Sequence, residues 1–264
     1  QSNVAWTFDT VADMKLGTNL VNGSFAQTLG FYSINDGGGA IYKISNTGTA
    51  NEMDVIAIND LYATIVNPEN VKQFGAKGDG TNDDTASIQK AIDTISTVNI
   101  PTGTFMIDGS TPITMNSGNR LLLANDAILK AIPTDATSYR IIDINDVDDV
   151  TIIGGCISGE RDEHTGSTGE WGRCISIRGD STNINIENIK LIKSWGDGLT
   201  IAGCKDVNLN DLYIDNNRRN GISVISAENL FANNITIKNT NGTDPQAGID
   251  FEPDGATEKL INVV

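Results

Sequence analysis

Short apolar segments with one shared pattern recur along this chain. From Cys174 onward their starts are separated by 24, 23 and 27 residues. Each has apolar residues at its second and fourth positions and a small or polar residue between them. A recurrence of this length is typical of a solenoid, whose coils bury apolar surface against one another. The segments are Ile141–Ile144, Cys174–Ile177, Gly198–Ile201, Gly221–Val224 and Gly248–Phe251.

Two further runs follow most of these segments and indicate three strands per coil. The period also fits leucine-rich repeats, but Asn183–Ile189 alternates with period two and shows no helical pattern. Asn188, Asp211 and Asn234 occur once per coil, and such residues tolerate the left-handed backbone of a tight corner. The pattern therefore predicts a parallel β-helix. We expect its interior to contain Ile142, Ile144, Ile175, Ile177, Leu199, Ile201, Ile222, Val224, Ile249 and Phe251.

Composition limits the possible partners. The net charge of −16 over 264 residues argues against binding to nucleic acid or to anionic membranes. No apolar run approaches the ~20 residues of a membrane span, so no membrane insertion is expected. An anionic substrate would require the few arginines to be concentrated where it binds. The three cysteines Cys156, Cys174 and Cys204 cannot form a disulfide framework and are expected to be buried free thiols.

Residues 1–68 lack the repeat and are expected to form a small β-rich module. Thr10–Lys15 is predicted to be a short helix with a Thr or Asp cap. Phe31–Ile34 and Ala40–Ile44 are predicted to pair as a hairpin across a Gly-rich connection. The β-helix is expected to span residues 69–264 and to continue beyond residue 264, because the last coil stops in mid-strand.

A motif lies where the β-helix is predicted to begin. The string FGAKGDGTNDDT at Phe74–Thr85 is followed by a helical pattern, Ala86–Asp93, and then by IPTGTF at Ile100–Phe105. The combination resembles the pectate-lyase-like superfamily over about residues 70–264. This resemblance implies an all-β fold, a right-handed single-stranded parallel β-helix with a capping helix. It does not select an activity, because the superfamily includes lyases, hydrolases and phage tailspikes. Gly78–Asp84 lacks the Glu of an EF-hand and the Lys of a P-loop, which favours a structural turn.

A second resemblance concerns the N-terminal module. Thr28–Ala40, which contains Gly30–Ile34 and three consecutive glycines, resembles the small domain that precedes the β-helix in bacteriophage tailspikes and appendages. The combination is similar to the pre-neck appendage proteins of small Bacillus podophages, which attack wall teichoic acid. This resemblance implies a homotrimer in the virion tail or appendage. Its partners would be other virion proteins and a glycopolymer of the host cell wall.

A long irregular segment, residues 158–173, interrupts the repeat before the coil that begins at Cys174. Insertions commonly decorate the binding face of a solenoid, although a solvated charged loop is the alternative. A Trp ring can stack on a sugar, and an Arg can clamp a phosphate or carboxylate. The only histidine, His164, is expected to be an exposed loop residue. The candidate substrate-binding residues of the insertion and of the same corner in later coils are Arg161, Glu170, Trp171, Arg173, Trp195, Arg218 and Arg219. We expect all of them on one face, lining the principal groove.

Three carboxylates are candidate catalytic residues. Asp250 and Glu252 lie two residues apart on the outward face of a strand, or ~7 Å, close to the ~6.5–9.5 Å of inverting glycosidases. Asp197 lies two coils below, about 10 Å away along the same edge. One carboxylate would donate a proton while another activates water. With 34 acidic residues in the chain, a coincidental pair is the competing interpretation.

The leading hypothesis is a phage protein that binds and degrades a host cell-surface glycopolymer, with teichoic acid favoured and glycosidic or phosphodiester hydrolysis as the reaction. In phosphodiester hydrolysis, an arginine would neutralise the charge of the phosphate. A non-catalytic adhesin or structural spike is the alternative from another class. A polysaccharide lyase is third, because no Lys or Arg base lies beside the acidic cluster of residues 146–149. No cofactor and no metal site are predicted, and a structural or catalytic Ca²⁺ stays an open alternative.

Overall fold

The computed structural model describes residues 6–264 and divides them into two compact units. One unit contains the chain up to Lys77 together with Ala86–Pro101. The other contains Gly78–Thr85 together with Thr102–Val264. The units are interleaved along the sequence, so neither is one continuous stretch of chain. The division into domains at residues 68 and 69 stays a prediction.

A five-stranded sheet forms most of the first unit. Its strands lie in the order first, second, third, fifth, fourth; the first two are parallel and the other neighbours are antiparallel. The predicted helix is confirmed at Val11–Lys15, where Thr10 and Asp13 form a reciprocal capping box. The strands are Trp6–Phe8, Phe25–Thr28, Ile41–Ser45, Val55–Ile58 and Leu61–Val66. The 3₁₀ helix Val71–Phe74, the strand Thr97–Ile100 and most of the helix Thr85–Thr94 also lie in this unit.

The predicted hairpin strand Phe31–Ile34 is wrong, because this segment is a loop folded around Asp36. The strand that pairs with Ile41–Ser45 is Phe25–Thr28 instead. Burial alone would raise the pKa of Asp36, but four backbone N–H donors hold it below its usual value. These donors belong to Phe31 (3.1 Å), Tyr32 (2.7 Å), Ser33 (3.0 Å) and Gly38 (2.7 Å).

The second unit is a parallel β-helix, which confirms the predicted all-β class. Its coils contribute strands to three sheets, and Asp197–Asp215 and Ile222–Lys238 each run through all three. The first sheet also contains Ile113–Thr114, Ser138–Asn145, Trp171–Arg178 and Ile249–Phe251. The second contains Arg120–Leu123, Asp148–Ile153, Thr182–Glu187 and Leu260–Val263. The third contains Asp79–Asp83, Gly103–Ile107, Ala127–Ala131, Cys156–Ser158 and Lys190–Ile192.

The predicted register is confirmed throughout the first sheet. Ile142, Ile175, Leu199, Ile222 and Ile249 are neighbours in successive coils. Three of the five segments begin with Gly, and at Gly221 the coils approach closely: a Cβ atom there would lie 2.5 Å from the carbonyl oxygen of Gly248. Eight of the ten residues expected in the interior are buried. Ile249 and Phe251 are not, with exposures of 40% and 49%, because no described coil stacks on them.

Asn and Asp turn the corners between strands, as predicted. Asn188, Asp211 and Asn234 have φ angles of +49°, +57° and +53°, in the left-handed region. The Asn234 amide donates to the Asp211 carboxylate at 2.5 Å, which links adjacent coils. A second corner carries the same kind of ladder, in which Asn229 donates to Asp206 at 2.8 Å. The three cysteines are free and buried, as expected. No helix formed by residues 6–264 is both long and apolar enough to cross a membrane.

The stacked core can be tested with two truncations at one column of the first sheet. Ile175→Ala should lower the free energy of unfolding by about 2–5 kcal/mol, because it opens a cavity between coils. Ile249→Ala, the matched control in the same column, should cost less than about 1.5 kcal/mol because its side chain is already partly solvated. Urea unfolding measures both. Equal losses would contradict this account of the core.

Candidate functional site

The outer face of the first sheet carries a column of polar residues that is hidden from solvent. Asp143, Ser176, Thr200 and Ser223 are paired neighbours in successive coils, followed by Asp250. The first four are at most 5% exposed, although they point away from the apolar core. Arginine side chains bind to three of the four. The sequence predicts a small or polar residue at this position of the repeat but not that it is covered.

Four arginines bind across this column, and we call them the arginine layer: Arg140, Arg173, Arg178 and Arg219. Arg178 forms a bidentate pair with Asp143, at 2.9 and 2.7 Å. The Arg140 Nε atom lies 3.7 Å from the same carboxylate. Arg173 Nε donates to Thr200 Oγ1 at 3.1 Å, and Arg219 Nη1 donates to Ser223 Oγ at 3.3 Å. The layer holds four of the chain's seven arginines. Arg140 and Arg178 were not predicted as site residues.

Arg219 connects two of the predicted catalytic carboxylates. Its Nη1 atom lies 3.3 and 3.2 Å from the two oxygens of Asp197, and its Nη2 atom lies 3.0 and 3.2 Å from those of Glu252. Asp197 is 1% exposed, and it also accepts hydrogen bonds from Ser223, Thr200 and the backbone N–H of Asn220. Glu252 keeps 25% of its side chain exposed. Of these two carboxylates, only Glu252 is exposed enough to contact a molecule bound on this face.

Burial raises the pKa of the Asp197 carboxyl, and the charges of Arg219 and Arg173 only partly oppose this effect. Burial also raises the pKa of Glu252; Arg219 lowers it, while the nearby charges of Asp250 and Asp197 raise it further. For Arg219, burial alone would lower the pKa, but Asp197 and Glu252 raise it. The guanidinium therefore stays charged, and Glu252 is the partly exposed acid that holds its proton more tightly than usual.

Asn220 connects this cluster to Asp250. Its side-chain NH₂ group donates to Asp250 at 3.2 Å and to Ser223 Oγ at 2.9 Å. Its side-chain oxygen accepts from the backbone N–H of Ala247 at 3.0 Å. Asn220 was not among the predicted site residues. Its position before a repeat segment, equivalent to Asp197, was the available signal.

The insertion folds over a buried acid–base pair, which corrects the expectation for His164. Its imidazole is buried, with Nδ1 at 3.0 Å from Glu160. The ring stacks on Trp195 with a centroid separation of 3.7 Å, and the Arg218 guanidinium lies 4.0 Å from the Trp195 centroid. Arg218 also donates to the Gly169 carbonyl at 2.7 Å. Trp195 and Arg218 thus hold the insertion in place.

The remaining predicted binding residues lie in different places. Trp171, 45% exposed, begins the strand that carries Arg173, and its carbonyl accepts from Arg173 at 3.2 Å. Glu170 is half-buried just before it. Arg161 instead binds Asn216 and Asn241, which line a cavity beside the third sheet. The seven predicted substrate-binding residues therefore do not share one groove. Among residues 6–264, no three His, Cys, Asp or Glu side chains are placed to hold a metal ion together.

Comparisons with known proteins agree with this fold. Residues 69–124 match the rhamnogalacturonase A/epimerase, pectate lyase-like family. The tailspike protein gp49 of Acinetobacter baumannii bacteriophage Fri1, a capsular polysaccharide depolymerase, superposes with a TM-score of 0.77 at 16% identity, over 98% of this chain and 51% of that one. The family match covers 56 of the 264 residues, and the superposition shows that the fold is a tailspike-like parallel β-helix. The predicted resemblances to this superfamily and to phage tailspikes are confirmed at the level of fold.

Two relatives of this β-helix come from Bacillus subtilis strain 168. The chain is 31% identical to the uncharacterized protein YclG over an alignment of 234 residues, which covers 74% of this chain and 40% of YclG. It is 28% identical to the SPbeta prophage-derived uncharacterized protein YorA over 188 residues, covering 59% of this chain and 32% of YorA. The chain thus spans less than half the length of either relative.

The buried position of Asp197 predicts a cost in stability. Asp197→Asn should lower the free energy of unfolding by about 1–3 kcal/mol, because an amide NH₂ group would face donors that now bind a carboxylate oxygen. Asp250→Asn, the control on the same face, should cost less than about 1 kcal/mol, since it loses at most one hydrogen bond. Denaturant unfolding measures both, and a larger loss for Asp250→Asn would overturn this division.

Proposed function

We propose that this β-helix binds and cleaves an anionic cell-surface glycopolymer along the outer face of its first sheet. The arginine layer carries the proposal. A chain with a net charge of −16 repels polyanions, yet it places four guanidinium groups on one face, in three of four neighbouring coils whose strands are ~4.8 Å apart. Guanidinium groups suit carboxylates and phosphates because their donors form a fixed planar fork.

The catalytic step assigned to this face is an inverting hydrolysis. Glu252 would donate its proton to the leaving-group oxygen, a role that its raised pKa and partial exposure support. Asp250, ~7 Å along the same strand, would accept a proton from the attacking water. Asp197 takes a different role from the one expected, because its buried oxygens are already bound. It would position Arg219, which in turn orients Glu252.

Wall teichoic acid is the polymer that we favour. Its phosphates match the arginine layer, and both relatives come from a Bacillus. Phosphodiester hydrolysis would use the same groups, with arginine neutralising the phosphate. One relative is prophage-derived, and gp49 is a tailspike, which supports a place in the virion tail or appendage. For the whole protein we propose a homotrimer, in contact with other virion proteins, that acts at the bacterial surface.

The contacts of Arg219 favour a second candidate, an adhesin that binds the polymer without cleaving it. Because the guanidinium bridges Asp197 and Glu252, the cluster also has a purely structural explanation as a network of ion pairs. A lyase is less well supported, since the raised pKa of Arg219 makes this group a poor base for removing a sugar proton.

Turnover of defined polymers tests these alternatives. The protein is incubated with purified teichoic acid, capsular polysaccharide and polygalacturonate, and the products are identified by mass spectrometry. Glu252→Gln and Asp250→Asn should lower turnover by at least ~100-fold while changing binding little, since losing a general acid or base costs roughly 10²–10⁴-fold. Glu228→Gln, an exposed carboxylate of the second sheet, is the control and should be unaffected.

Each other outcome selects a different function. Binding without products would support the adhesin. Unsaturated sugar ends would identify a lyase. Full activity of both Glu252→Gln and Asp250→Asn would exclude this face as the catalytic site.

The pH dependence tests the role of Glu252 as the acid. Activity should fall as the pH rises through the pKa of Glu252, because the group must be protonated to act. Arg219 lowers this pKa, so Arg219→Ala should move the alkaline limb of kcat to higher pH. Arg178→Ala removes another arginine of the layer, one bound to Asp143 rather than Glu252, and should leave the limb in place. A limb that does not move in Arg219→Ala would exclude Glu252 as the acid.

A further inference from the structure

The outer side of the third sheet carries a groove that the proposed function does not use. A cavity of about 730 Å³ is lined by residues that include Lys190, Lys193, Tyr213, Asp215, Asn216 and Asn241. We call it the third-sheet groove. A cavity of about 270 Å³ shares Lys190 and Tyr213 with it, and one of about 350 Å³ shares Lys193. Ligand sites usually measure ~300–1,000 Å³. The three adjoining cavities extend over several coils, as an extended polymer would require.

Tyr213 provides an aromatic surface in this groove. It lies between Lys190 and Thr236 in the neighbouring coils. Its hydroxyl donates to Asp215 at 2.9 Å, which fixes the direction of the ring, and the ring is only partly buried. An aromatic ring held at its polar end can stack on the apolar face of a sugar. The Lys238 ammonium lies 5.4 Å from the ring centroid, which places a cation–π contact beside the stacking surface.

The charges of the groove favour an anion. Lys190 makes no ion pair with any residue from 6 to 264, and Lys193 pairs with Asp162 at 2.6 Å. Lys238 and Arg161 add two further cations. Asp215, the carboxylate among the residues that line the third-sheet groove, accepts from Tyr213 and Asn239. The adjoining cavities are lined by Glu160, Asp162, Glu163 and Asp211. Two lysines and one carboxylate line the third-sheet groove itself, so it is locally cationic within a chain of net charge −16.

Arg161 orders one wall of the groove. Its guanidinium donates to the side-chain oxygen of Asn216 at 2.9 Å and to that of Asn241 at 2.8 Å. Both amide oxygens are therefore used by the protein. The Asn216 NH₂ group makes no hydrogen bond within the described part of the chain and can donate to a ligand. The wall thus offers a donor, which suits hydroxyl, carboxylate or phosphate oxygens.

We propose that the third-sheet groove is a second, non-catalytic binding site for an anionic glycan. Tyr213 stacks on a sugar ring, Lys190 neutralises its carboxylate or phosphate, and Asn216 donates to its oxygens. No free carboxylate pair lies among the lining residues, so the groove holds the polymer without cleaving it. The inference goes beyond the proposed function and shares only the ligand class with it. Two sites on one chain would raise avidity for long polymers by ~10²–10⁴-fold.

Affinity electrophoresis in gels containing one polymer each tests the groove. The polymers are poly(glycerol phosphate) teichoic acid, polygalacturonate and, as a neutral control, dextran. Arg219→Ala, which weakens the first-sheet site, should still be retarded by at least one of the two anionic polymers and not by dextran. Adding Tyr213→Ala or Lys190→Ala to that variant should weaken binding by at least ~10-fold. Phe231→Ala, which removes an exposed aromatic residue of the second sheet, is the matched control and should change nothing.

Three outcomes would overturn the inference. These are loss of all binding in Arg219→Ala alone, unchanged binding after Tyr213→Ala and Lys190→Ala, and a wild-type protein that neither anionic polymer retards. The unfolding midpoint of each variant is compared with that of the wild type, so that a loss of binding is not mistaken for a loss of folding. Retardation that depends on Tyr213, in a protein that cleaves nothing, would reject the proposed hydrolase and support this site. The two proposals therefore fail separately.

Discussion

The in-register stacking of parallel coils governs the rest of this structure. A coil of 23 to 34 residues cannot enclose a core alone, so it buries its aliphatic side chains against the coils on either side. Backbone pairing at ~4.8 Å then forces equivalent residues into columns. The same constraint that aligns Ile175 with Leu199 also aligns Ser176 with Thr200 on the outer side. The same strand register therefore determines both which residues stack in the core and which residues form columns on the outer face.

On the outer face of the first sheet, the stacked polar column and the arginine layer together form the candidate site. Charges of one sign on neighbouring coils repel, and the partners beneath the arginine layer offset this repulsion. Asp143 forms an ion pair with Arg178, and Asp197 and Glu252 both form ion pairs with Arg219. Withdrawing Asp197 from water is costly, and a well-packed apolar residue is often no less stabilising than a buried ion pair. A buried pair kept beside a partly exposed acid is consistent with a functional constraint on this face.

The insertion joins two faces of the β-helix. At its start, Arg161 reaches the amides beside the third sheet; at its end, Arg173 joins the arginine layer over the first. Glu160 and His164 form a buried pair near the start of the insertion, and His164 stacks on Trp195, which holds the loop in place. An irregular segment of this kind is ordered by the coils that it covers, so one insertion contributes to both the proposed catalytic face and the third-sheet groove.

The sequence alone determined the repeat, the strand register, the Asn and Asp corners and the β-helix fold, because each depends on local patterns of period two and on motifs at fixed spacing. The repeat register also predicted that Asp197, Arg219 and Glu252 lie on the same side of the β-helix. Only the tertiary structure decided which groups remain accessible. Asp197 became buried and His164 lost its exposure, since side chains distant in sequence cover them. Long side chains such as those of Arg161 and Arg219 span more than one coil spacing, so their partners follow from three-dimensional packing and not from position in the repeat.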